Sequence, residues 1–93
     1  MKANKKNQGI LESILRNAGF KLRYEKGNFR GGYCLLEQQQ TIVINKFYPL
    51  ESQVNTLVEL VSRLPIEPEV LDEEQLKVFR QVRGNNSQMP LFT

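Results

Sequence analysis

Two prolines, Pro49 and Pro65, bracket a stretch whose apolar residues repeat with a helical period and no other. Leu50, Val54, Leu57, Val58, Val61 and Leu64 recur at three- and four-residue intervals, while Glu51, Ser52, Asn55, Glu59 and Ser62 face elsewhere. Pro49 suits the first helical position, where its missing N–H would lack an intrahelical partner in any case. Pro65 cannot continue the helix and stops it. Such a stripe must be buried against something. Just upstream, Thr41-Ile42-Val43-Ile44-Asn45 is β-branched through its centre and reads as a strand, which supplies an apolar surface.

The other segments follow from the same periodicities. Ile10, Leu11, Ile14, Leu15 and Ala18 make one stripe on a first helix, predicted over residues 8–18 with Asn7 as its N-cap. Gly19 stands where a left-handed C-cap residue belongs, and Phe20 is the apolar residue that closes that motif. Phe20, Leu22 and Tyr24 then alternate with Lys21, Arg23 and Glu25, the pattern of a half-buried strand. Lys26-Gly27-Asn28 is turn chemistry. A second strand runs from Tyr33 to Glu37, and Gln38-Gln39-Gln40 reads as a hairpin loop. Both faces of that second strand are apolar, Tyr33 and Leu35 on one and Cys34 and Leu36 on the other. This fits a central strand or one covered by a partner. After Pro65, residues 66–71 form a proline-stiffened connector. Asp72 followed by Gln75 resembles a capping box. Leu76, Phe79 and Val82 mark a last helix that Gly84 ends. The expected fold is α+β, with a three-stranded antiparallel sheet, helices on one face and the order α-β-β-β-α-α. One domain over residues 1–84, with a flexible basic lead-in at 1–7, precedes a flexible tail at 85–93.

Composition then narrows the chemistry. The 93-residue chain contains no histidine and a single cysteine. A His-based triad, an imidazole general base and a His-containing zinc site are all excluded. One cysteine makes no intramolecular disulfide, which suits a reducing compartment. No apolar run approaches the roughly 20 residues of a membrane helix, and residues 1–8 lack the apolar stretch of a signal peptide. A cytoplasmic protein is the expectation. The net charge is +3, unevenly spread: residues 1–24 carry Lys2, Lys5, Lys6, Arg16, Lys21 and Arg23 against Glu12, whereas residues 49–93 carry seven acids against four bases. Without interleaved aromatics this basic end reads as a solvated lead-in, so direct contact with nucleic acid is not expected. Cys34 has no base beside it in sequence and reads as a small buried hydrophobe rather than a nucleophile. Gly27, Gly31 and Gly32 lack the spacing of a phosphate-cradling loop.

Residues 31–64 resemble the core of the ImmA/IrrE-type zinc peptidases. Gly32-Tyr33-Cys34-Leu35-Leu36 matches that family's first strand of the core, Ile42-Val43-Ile44-Asn45 its second, and Pro49-Leu50-Glu51 its loop. Thr56-Leu57-Val58-Glu59-Leu60-Val61-Ser62 then falls on the helix that in the family reads Leu-x-His-Glu-Leu-x-His. Glu59 takes the position of the general base, whereas Val58 and Ser62 replace the two zinc-binding histidines. The resemblance therefore implies the fold without metal, cofactor or peptidase activity, and Glu59 as the relic of a catalytic position. Glu59 equally suits an exposed helix residue paired with Arg63 four positions on.

The tail, Gln88-Met89-Pro90-Leu91-Phe92, resembles the short peptide with which bacterial replication and repair proteins dock on the sliding clamp. There Leu91 and Phe92 would be buried anchors, with Met89 beside them and Gln88 bonding backbone at the rim. Packing of the same residues on their own domain, or on a neighbouring copy, is the other reading. The sequence thus suggests a non-enzymatic interaction domain whose partner is another protein or a second copy, the latter making a homodimer. The alternative is a nucleic-acid-associated accessory protein docked through Gln88, Met89, Leu91 and Phe92.

Overall fold

A computed structural model describes residues 1–26 and 32–87. These residues form a small α+β domain of three helices and a three-stranded sheet. Along the chain run α1 (Lys5–Asn17), β1 (Lys21–Glu25), β2 (Tyr33–Leu36), β3 (Thr41–Asn45), α2 (Leu50–Arg63) and α3 (Glu73–Ser87). Two 3-10 turns, Glu37–Gln39 and Pro68–Val70, interrupt the order read from the sequence. The first replaces the expected glutamine hairpin loop, and Gln40 closes it in the left-handed region at φ 47°.

The sheet corrects the expectation of an antiparallel arrangement. β3 lies between the other two strands, parallel to β1 and antiparallel to β2. The reason lies in side-chain character. All five residues of β3 are buried, so the β-branched strand takes the centre, where both of its edges are paired. β1 exposes Lys21, Arg23 and Glu25 and suits an edge. β2, read as central or partner-covered, is the other edge.

Register puts Leu22 and Tyr24 beside Ile42 and Ile44, and these beside Leu35 and Tyr33, all on one face. That face meets Leu11, Ile14 and Leu15 of α1, Val54, Leu57, Leu60 and Val61 of α2, and Val78, Phe79 and Val82 of α3 in a single core. Val78 and Leu60 are core residues that the sequence stripes omitted.

Helix ends show why the boundaries fall where they do. α1 starts before the predicted residue 8 because Asn4, not Asn7, is its N-cap. The Asn4 side chain accepts from the Asn7 amide at 2.8 Å, and the Asn7 side chain donates to the Lys2 carbonyl at 2.8 Å. Its C-terminus follows expectation: Gly19 adopts φ 101°, and the Phe20 amide returns to the Leu15 carbonyl at 3.0 Å. Pro49 is the N-cap of α2 rather than its first residue, and its carbonyl accepts the Gln53 amide at 3.0 Å. α3 opens with the predicted capping box, Asp72 and Gln75 exchanging reciprocal bonds of 2.8 Å. It continues through Gly84 to Ser87, since glycine inside a helix is only about 1 kcal/mol poorer than alanine. Arg83 ties α3 to the end of α2 by donating to the carbonyls of Val61 at 3.2 Å and Leu64 at 2.5 Å. A cation there meets the negative end of the helix dipole. Among the described residues no helix is long and apolar enough to cross a membrane.

Candidate functional site

Glu59 projects from α2 beside the start of β2. The Tyr33 hydroxyl donates to its carboxylate at 3.3 Å, and Arg63 stands 3.9 Å away, one helical turn on. Burial, followed by the charge of Glu59, raises the Tyr33 pKa above its ordinary value. The side chains of Glu59 and Arg63 are 45% and 72% exposed, so this is a solvated ion pair with one tyrosine bond added. The flanking positions serve the helix itself. Val58 packs partly against the core, and Ser62 donates to the Glu59 carbonyl at 2.7 Å. Among the described residues no three His, Cys, Asp or Glu side chains gather as a metal site. What this arrangement can do chemically is hold the start of β2 against α2. Gly32 permits that closeness: a Cβ there would lie 2.9 Å from Thr56 Oγ1 and 3.3 Å from the Tyr48 ring.

A second polar cluster joins α1, β1 and α2, and the sequence reading missed it. Tyr24 donates a short hydrogen bond to Glu12. Gln8 donates to the Tyr24 hydroxyl at 3.2 Å and to Gln53 at 2.9 Å, and Gln53 donates to the Tyr48 carbonyl at 2.9 Å. Burial, together with the Glu12 bond, holds the Tyr24 pKa well above its usual value. A shallow depression of about 340 Å³ opens here, lined in part by Lys5 and Lys46. The inward position of Tyr24 on an alternating strand was the one available signal. Its partners come from residues 12 to 29 positions away and had none.

The third feature is the outer edge of β2. The Asn45 amide donates to the Gly32 carbonyl at 2.8 Å. Since bonded and non-bonded pairs alternate in an antiparallel ladder, Gly32, Cys34 and Leu36 turn their backbone groups toward β3. The amides and carbonyls of Tyr33 and Leu35 therefore point outward, and no described element pairs with them. Cys34 is half-buried on this strand, on the face away from the helices, and not the core residue expected. A shallow depression of about 400 Å³ lies along Leu35, Leu36 and the 3-10 turn.

Gln88, Met89, Leu91 and Phe92 lie outside the described residues, as do Gly27, Asn28 and Gly31. The fold and its edge define a small mixed α+β domain with an open strand. Searches of protein-family models, curated proteins and solved structures return no match to this chain.

Proposed function

We propose that this chain is a non-catalytic protein-interaction domain that engages its partner through the outer edge of β2. In this reading α2 is a metal-free relative of the ImmA/IrrE-type zinc helix. The observation that carries the proposal is a strand with no charged residue, apolar on both faces, placed at a sheet edge. Exposed edges are usually blunted by charge or proline, and β1 follows that rule with Lys21, Arg23 and Glu25. β2 does not. Its pattern belongs to a strand covered on both sides, and the element that completes the cover is the partner. The absence of histidine leaves Glu59 without a metal-bound water to activate, so its bonds to Tyr33 and Arg63 are structural.

Residue-resolved amide exchange tests this. In dilute purified protein the Tyr33 and Leu35 amides should exchange fast, while those of Cys34 and Leu36 are protected by β3. In concentrated protein, or with labelled chain in native cell extract, the outer pair should slow. Fast exchange of both under every condition refutes the edge. Peptide hydrolysis by purified protein that Glu59→Gln abolishes refutes the non-catalytic reading.

A further inference from the structure

We infer that the partner on β2 is a second copy of this chain, paired antiparallel about a two-fold axis that passes beside Cys34. The inference rests on the interaction-domain reading and supplies its partner. It follows from which backbone groups of β2 are left unpaired among the described residues. The Lys21 amide donates to the Gln40 carbonyl at 2.8 Å and the Lys46 amide to the Glu25 carbonyl at 2.9 Å. These bonds commit the even-numbered residues of β3 to β1 and leave Thr41, Val43 and Asn45 for β2. Both ladders agree that Tyr33 and Leu35 offer their donors and acceptors outward.

A two-fold axis pairs residues whose numbers have a constant sum. Only the register centred on Cys34 pairs Tyr33 with Leu35 of the second copy, and Leu35 with its Tyr33, satisfying all four outward groups within the strand. Cys34 then faces Cys34 of the second copy as a non-hydrogen-bonded pair, the type in which Cα atoms approach to about 4.5 Å. Leu36 falls opposite Gly32 of the second copy, where no side chain obstructs it. Tyr33 lies beside Leu35 on the helix side of the sheet, apolar against apolar. Within the paired strands no charge is brought against its like. β1 is the internal contrast: its outward residues are Leu22 and Tyr24, so the same symmetry would set Arg23 directly against Arg23, a destabilising arrangement. The β2 edge is complementary to itself with no charge in the strand, whereas the equivalent β1 register carries an Arg23 pair at its axis. The product is a six-stranded sheet, β1-β3-β2 continued by β2-β3-β1, closed by an isologous contact.

Sedimentation equilibrium of the reduced full chain is the first measurement, from about 10 µM to about 1 mM because contacts below about 1,200 Å² associate weakly. A reversible dimer is expected. Oxidation with copper phenanthroline should convert that dimer to a Cys34–Cys34 disulfide. A Lys21→Cys, Cys34→Ser chain, with its thiol on the β1 edge, should cross-link far more slowly. Cys34→Lys sets two ammonium groups at the axis and should weaken dimerisation up to about fivefold. If that variant unfolds, the cross-link in the unaltered chain decides alone. A monomer at every concentration, or equal cross-linking from both edges, overturns the inference. Should the chain stay monomeric while its Tyr33 and Leu35 amides are protected in extract, the second copy is wrong and the interaction domain stands. If neither dimer nor protection occurs, both fall.

Discussion

Replacing Gln75 with leucine tests whether the α1–α3 contact is held by a satisfied polar network or by packing alone. Gln75 is 6% exposed. Its side chain accepts from the Asp72 amide at 2.8 Å and from Asn17 at 3.0 Å, and donates to Ser13 at 2.8 Å. Each such bond contributes about 0.5–1.5 kcal/mol net, and leucine has similar bulk, so no large cavity adds to the loss. Asn17 keeps a second acceptor in the Val70 carbonyl at 3.2 Å, and the Ser13 hydroxyl still donates to Ile10 at 2.7 Å. Only the Asp72 amide loses its partner outright. The expected loss is therefore about 2–3 kcal/mol, which in a domain of this size lowers Tm by about 10–20 °C. Urea unfolding of both proteins, with unchanged m values, measures it. A loss under about 0.5 kcal/mol would refute the reasoning, because solvent would then be replacing the whole network.

Three further outcomes are expected. The folded state holds the Tyr24 proton more tightly than the unfolded chain does, so its contribution is complete below about pH 10 and is lost as pH rises beyond that. Tyr24→Phe should flatten the alkaline fall in urea midpoint, and an unchanged slope would deny the shift. Gly32→Ala places a methyl against Thr56 and Tyr48 and should destabilise by about 1–3 kcal/mol, with recovery when Thr56→Ala is added. No recovery would locate the strain elsewhere. Ending the chain after residue 87 removes Gln88, Met89, Leu91 and Phe92 and should leave β2-edge protection unchanged. Its loss would move the contact to the tail.

The helices were legible because their signals are local. A stripe between Pro49 and Pro65 and the Asp72–Gln75 box each depend on residues within a few turns. Boundaries drifted where two residues competed for one role, as Asn4 and Asn7 did at the start of α1. Glu59 was found as a residue, but its link to Tyr33 joins positions 26 apart and left no trace in either segment's pattern. The Tyr24 cluster and the seating of Gln75 on Ser13 were invisible for the same reason.

By itself the sequence determined the helices and strands, the α+β class and the exclusion of histidine chemistry, since periodicity and composition are properties of the chain read in line. Strand order belonged to the tertiary structure. Alternation shows which face of a strand is buried but not which neighbour lies alongside. Placing β3 in the middle required weighing the burial of all five of its residues against the charged face of β1. That choice left an apolar strand at the rim, because hydrogen bonding across a sheet is non-local and only one of three strands can have both edges paired.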